Sequence, residues 1–189
     1  MMRLVIVSGQ ARCGTSLVMQ MLEACGLRCA GEYPSFESPE SNHMARALDP
    51  AWLAQFEAVK ILDPHRSEFA PWPDGTHVVW MDRDPHQQAR SAVKMVTMFS
   101  GRRFPESAVA KIAASFVADR PEALSRYAGL PIFIGRFEDA ILNTDTFCNA
   151  LCTFLDLDPA SIDGVVVPRK NGAECEPRMD IEAALIGAR

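Results

Sequence analysis

No stretch of the 189-residue chain is long and apolar enough to cross a bilayer, and the opening run Met1-Met2-Arg3-Leu4-Val5-Ile6-Val7 is too short for the core of a secretion signal. The cytoplasm is therefore the expected compartment. Excess positive charge is also lacking. Against 24 Asp and Glu there are 19 Lys and Arg, a net charge of -5, which argues against a general binder of nucleic acid or anionic membrane and requires any anion site to be local. The six cysteines (Cys13, Cys25, Cys29, Cys148, Cys152 and Cys175) include no Cys-x-x-Cys pair, so the usual zinc and redox spacings do not occur. Cys148 and Cys152 fall among Phe147, Leu151 and Leu155 in the pattern of reduced thiols inside a helical core. Internal repeats, low-complexity tracts and linkers are missing as well, which leaves a single domain over residues 1–189 as the expectation.

What is present is the composition of a globular protein, 48% hydrophobic and 23% charged. Leu4 to Val7 has the length and β-branching of a strand buried on both faces, and a glycine follows it. Leu17, Val18, Met21, Leu22 and Cys25 then recur at helical spacing up to the stop at Gly26. Ala58–Leu62, His77–Met81, Pro131–Ile134 and Val165–Val167 read as further short buried strands between helical patterns. Ser38-Pro39, Asp84-Pro85 and Asp158-Pro159 each put a capping side chain before a proline suited to a first helical position. Helical patterns run from Pro105 to Tyr127, with a break expected at Arg120-Pro121, and from Thr144 to Leu155. The expected fold is α/β: a P-loop three-layer sandwich whose mostly parallel sheet of about five strands is flanked by helices. Residues 31–42 and 63–76 are polar, proline-containing connections where such folds build the mouth of a site.

The firmest chemical signal is the loop Gly9-Gln10-Ala11-Arg12-Cys13-Gly14-Thr15-Ser16 between the first strand and the first helix. A glycine loop in that position turns backbone N–H groups and the positive end of a helix toward one point, which suits an oxyanion. The nucleoside-triphosphatase pattern requires a lysine where Thr15 stands. Its cation has moved to Arg12, whose guanidinium could fork two ester oxygens, with the Thr15 and Ser16 hydroxyls beside it. An ordinary glycine turn carrying a surface arginine is the plain alternative.

Ala11-Arg12-Cys13-Gly14-Thr15-Ser16 resembles the 5′-phosphosulfate loop of the sulfotransferase superfamily, with Ala11 and Cys13 as departures from its pattern. After the third strand, Arg83-Asp84-Pro85 followed by Ser91 is similar to the family's arginine and serine for the 3′-phosphate. Gly135-Arg136-Phe137-Glu138-Asp139 looks like a family segment whose aromatic residue lies near adenine, and Arg169-Lys170-Asn171-Gly172 is similar to one that closes over the 3′-phosphate. The resemblance implies a sulfotransferase that uses 3′-phosphoadenosine 5′-phosphosulfate. It implies cofactor contacts at Gly9, Arg12, Cys13, Gly14, Thr15, Ser16, Arg83, Ser91, Phe137, Arg169 and Lys170.

Sulfuryl transfer is mainly positioning and countercharge, so Arg12 and the loop amides would carry it, and no carboxylate pair beside the loop asks for Mg²⁺. No metal is expected. A hydroxyl or amine acceptor, small-molecule or carbohydrate-like, needs a general base, for which the mouth offers Glu37, His43, Lys60, Asp63 and His65. Phe36-Glu37 resembles members that use a glutamate, which puts Glu37 first and His65 second, while Lys60 at a strand end could assist the leaving phosphate. Two other readings stay open: an ATP-dependent small-molecule kinase and a non-catalytic nucleotide-binding protein.

Overall fold

The computed structural model describes residues 4–42, 48–66 and 71–159. In chain order the elements are β1 (Val5–Gly9), α1 (Thr15–Ala24), α2 (Pro39–Asn42), α3 (Pro50–Leu53), β2 (Ala58–Leu62), β3 (His77–Asp82), α4 (Pro85–Ser100), α5 (Glu106–Ser125), β4 (Ile132–Arg136), α6 (Phe137–Leu142) and α7 (Thr144–Leu155). A 3-10 turn, Pro64–Arg66, follows β2. The strands pair in the order β2-β1-β3-β4, all parallel. The described residues thus hold four strands where about five were expected. The remaining candidate, Val165–Val167, lies outside them.

The sheet is covered on both faces, and the two-residue period of a strand sorts its side chains between them. Val5, Val7, Val79 and Met81 pack with Val18, Met21 and Leu22 of α1 and with Phe147, Leu151 and Leu155 of α7. Leu4, Ile6, Val59, Ile61, Val78 and Trp80 pack on the other side with Leu53, Ala123 and Tyr127. These are the three expected layers. Cys148 and Cys152 are buried in the first of the two cores, as their spacing indicated. A smaller cluster of Ala89, Val109 and Ala113 joins α4 to α5.

Two of the three expected caps form, while the residues that would follow Asp158-Pro159 lie outside the described ones. Ser38 Oγ accepts the Ser41 N–H at 3.1 Å, and Asp84 accepts the Gln87 N–H at 2.9 Å. The expected break at Arg120-Pro121 does not occur, because α5 runs on through Pro121. A mid-helix proline costs about 3 kcal/mol. Contacts on both sides of it oppose that cost: Arg120 grips Asp82 with both arms of its guanidinium, its Nε lying 2.9 Å from Oδ1, and Ala123 and Tyr127 are buried beyond it. Tertiary packing overrides a local signal here.

Chain order and sheet order together locate the site. From β1 the sheet grows to β2 on one side and to β3 on the other, so a crevice opens at the carboxyl end of β1, where the glycine loop begins. Below it the buried Tyr127 hydroxyl donates to Ser8 Oγ at 2.8 Å, and Ser8 Oγ donates to the Ile61 carbonyl at 2.8 Å. Burial pushes the phenol pKa up, so Tyr127 is a protonated donor that ties α5 to the central strand. Tyr127→Phe should therefore cost about 1 kcal/mol in urea unfolding, with an unchanged slope, since Ser8 keeps its second bond.

Candidate active site

The loop is shaped by glycines at its two ends. Gly9 has φ 154, and a Cβ there would lie 2.4 Å from Cys13 Sγ and 2.6 Å from the Met81 carbonyl oxygen. Gly14 is the N-cap of α1 with φ 103, and its Cβ would lie 2.5 Å from the Phe137 ring. No side chain caps α1 and its first turn holds no acidic residue, so its leading N–H groups keep their positive character toward the crevice. Between the glycines, Gln10 to Cys13 form a turn closed by Cys13 N–H to Gln10 C=O at 3.3 Å. The third residue of that turn is Arg12, left-handed at φ 71, a conformation that costs a non-glycine residue on the order of 1 kcal/mol.

From that backbone Arg12 Nε donates to Ser91 Oγ on α4 at 3.2 Å. Arg83, one residue past β3, donates from Nη1 to the Arg12 carbonyl at 3.2 Å and lies 4.4 Å from the centre of the Phe137 ring. Arg12, Arg83, Ser91, Gly14 and Phe137 are therefore brought together. The loop arginine and the Arg83–Ser91 pair thus adjoin one another. Phe137 serves the loop directly, with Gly14 against its edge and Arg83 over its face. Glu138, next in sequence, accepts the Asp84 N–H at 2.8 Å and so fixes the start of α4.

A second group forms on the β2 side. Lys60 is 1% exposed, and its Nζ donates to Ser16 Oγ at 3.2 Å, to the Ser35 carbonyl and to Glu37 Oε1 at 3.2 Å. Burial lowers the amine pKa, and the Glu37 carboxylate acts in the opposite direction. Ser16 Oγ also donates to the Ser35 carbonyl at 3.1 Å, so its hydroxyl is engaged with the Lys60 group. Thr15 is buried at the first helical position. Cys13 is buried, and desolvation pushes its thiol pKa up to about 12, so it packs beneath the loop as a protonated thiol and not as a nucleophile.

Two residues have roles that sequence reasoning did not assign. Asp63, considered only as a base, accepts the Ala11 N–H at 3.2 Å, and its own N–H donates to the Gly9 carbonyl at 3.0 Å. Gln88 donates from Nε2 to the Gln10 and Ala11 carbonyls at 3.3 and 2.8 Å. A polar residue directly after a strand was a usable signal for Asp63, whereas an amide within a helix gave none for Gln88. His65 is not brought into either group: its Nε2 lies 3.7 Å from Asp119 Oδ2 of α5 and accepts from Arg66 Nε at 3.2 Å. His43, Arg169 and Lys170 lie outside the described residues. Among the described residues no cluster of three or more His, Cys, Asp or Glu is placed to hold a metal, and no helix is long and apolar enough to cross a membrane.

No protein-family model matches the chain, and no curated protein matches it in sequence. Solved structures do match. A sulfotransferase from Alicyclobacillus acidocaldarius superposes with a TM-score of 0.58 at 14% identity, over 98% of this chain and 92% of that one. The fold is that of a sulfotransferase. Retinol dehydratase in complex with androsterone and the inactive cofactor PAP gives a TM-score of 0.54 at 13% identity, over 85% of this chain. The same enzyme with retinol and PAP gives 0.55 at 12% identity, over 84% of this chain. The chain spans 62% of the length of each retinol dehydratase chain. On the sulfotransferase fold, the glycine loop, Arg83 and Ser91 all lie at the carboxyl end of the two central strands.

Two outcomes follow from this geometry. Gly14→Ala should lose about 1–3 kcal/mol in chemical denaturation, and in a Phe137→Ala background, where the ring is gone, the remaining loss should shrink to the backbone part of about 1 kcal/mol. Glu37→Gln should move the Lys60 titration further down, because the carboxylate that favours the charged amine is lost. Lysine side-chain NMR reads this directly, and an unmoved titration would mean that the pair does not form in solution.

Proposed function

We propose that the chain transfers a sulfuryl group from 3′-phosphoadenosine 5′-phosphosulfate to a hydroxyl or amine of a small-molecule acceptor. The observation that carries this reading is the convergence of Arg12, Arg83 and Ser91 at one glycine loop on a sulfotransferase fold. Two guanidiniums and a helix N-terminus suit a nucleotide that is anionic at two places, and Thr15 in place of the P-loop lysine counts against a triphosphate. Arg12, Gly14, Thr15 and Ser16 would border the phosphosulfate end, with Gly9 and Cys13 shaping the loop from beneath, and Arg83 with Ser91 would take the 3′-phosphate. Phe137 would border the nucleotide, with Arg169 and Lys170 closing over it.

In this reading the acceptor oxygen or nitrogen attacks sulfur in line, the bond from sulfur to the bridging phosphate oxygen breaks, and adenosine 3′,5′-bisphosphate leaves. Glu37, half exposed beside Lys60, would take the acceptor's proton. Lys60, buried against Ser16, would supply countercharge to the leaving phosphate without moving, since its ammonium is already held by three oxygens. The reaction as written uses no metal. Support for a small-molecule acceptor comes from the neighbours, crystallised with androsterone or retinol beside PAP.

Calorimetry with adenosine 3′,5′-bisphosphate, AMP and ATP plus Mg²⁺ tests the reading. The bisphosphate should bind at least about tenfold more tightly than AMP, and Arg83→Ala should erase that preference. Equal binding of the two would overturn it, and Mg²⁺-dependent ATP turnover would favour a kinase. Glu37→Gln should lower kcat about a hundredfold or more while leaving bisphosphate affinity nearly unchanged.

A further inference from the structure

Three successive loop carbonyls are held by side chains that follow β3. Gln88 Nε2 takes Gln10 C=O at 3.3 Å and Ala11 C=O at 2.8 Å, and Arg83 Nη1 takes Arg12 C=O at 3.2 Å. Gln88 is 3% exposed and sits one turn before Ser91 on α4. A carbonyl turned into an oxyanion site repels the ligand, whereas an N–H turned inward attracts it, and in a tight loop the two groups of one peptide point opposite ways. Holding the 10–12 carbonyls toward the segment after β3 therefore fixes the turn, and two of the opposite N–H groups are held within the protein as well, Ala11's by Asp63 at 3.2 Å and Cys13's by the Gln10 carbonyl at 3.3 Å. Pinning the carbonyls also holds Arg12 in the left-handed conformation that its side chain does not favour.

We propose that Gln88 is a positioning residue: by pinning the Gln10 and Ala11 carbonyls it holds the turn that aims Arg12 at the 5′-phosphate end of the ligand, without touching the ligand itself. The inference rests on the reading of the loop as an anion cradle. It adds a directional consequence. A positioning role falls on the 5′ end alone, because Arg83 and Ser91 do not depend on Gln88 for their place on the chain. A role in merely seating α4 would fall on both ends.

The test is calorimetry on the full chain with three probes: AMP, adenosine 3′-monophosphate and adenosine 3′,5′-bisphosphate. Gln88→Met keeps the volume and removes both donors, and Gln88→Asn keeps the amide but withdraws it by one methylene. Both variants should lose about tenfold or more on AMP and on the bisphosphate, and less than about twofold on adenosine 3′-monophosphate. An equal loss on all three probes, or no loss on AMP, overturns the inference. Should either variant fail to fold by thermal melting, the other carries the comparison, and failure of both assigns Gln88 to the core and overturns it too. If the wild-type chain shows no preference for the bisphosphate over AMP, the sulfotransferase reading falls, while the AMP loss in the Gln88 variants still decides the role of Gln88. Inorganic phosphate replaces the nucleotides if none binds, and a wild-type loop that does not bind phosphate overturns the inference.

Discussion

The packing of the loop's first glycine against the end of β3 is the constraint on which the rest of the site depends. Gly9 leaves β1 where any side chain would meet both the Cys13 sulfur and the Met81 carbonyl. The chain can reverse there only because nothing projects from it. That reversal places Cys13 under the loop, brings Gly14 against Phe137, and lets α1 begin with its N-terminal amides facing the crevice. The same approach draws the loop toward β3, and so within reach of Arg83, Gln88 and Ser91, which all follow that strand.

A second constraint is the burial of Lys60. An ammonium held 1% exposed is costly unless oxygens surround it, and here a hydroxyl, a carbonyl and a carboxylate do so. These oxygens come from Ser16 on α1 and from Ser35 and Glu37 in the following connection. The lysine therefore ties this turn-containing connection, including the candidate base, to the helix that starts at the loop. Asp82, at the end of β3, is balanced differently: Arg120 holds both of its oxygens and the Trp80 indole donates to Oδ1 at 2.7 Å, which keeps its charge turned toward α5.

Much of this was legible because it is local. The β-branched run before Gly9, the helical spacing after Ser16 and the Asp84-Pro85 start of α4 act within a few residues, and each stands where its chemistry puts it. The alignment of Arg83 and Ser91 with the loop was legible through a family resemblance and follows from β1 and β3 being neighbours. What escaped was non-local. Pro121 reads as a break, yet Arg120 and Tyr127 hold the helix through contacts 38 and 119 residues away in sequence. His65 reads as a mouth residue, but its 3-10 turn packs toward α5 and Asp119. Gln88 carries no sequence signal at all, because a helix interior accepts an amide without comment and its partners are backbone carbonyls.

The joining of Arg12 to Arg83 and Ser91 changes how affinity in the proposed function should be understood. Were Arg12 and Arg83 on separate surfaces, each would hold its own phosphate and their effects would add. Here Arg83 holds the backbone of Arg12, and Arg12 reaches Ser91, so Arg12 depends on both for its place, whereas they are carried by the end of β3 and by α4. Groups in contact are coupled, so the loss on replacing Arg12 need not add to the loss on replacing Arg83 or Ser91. In a chain of net charge -5 the attraction is also local, generated by these two guanidiniums and the α1 amides and not by the protein's overall field. In the proposed function a ligand that presents anionic groups to both Arg12 and Arg83 gains from both at once, which is the physical reason that reading expects a doubly phosphorylated nucleoside to bind more tightly than one phosphorylated at a single position.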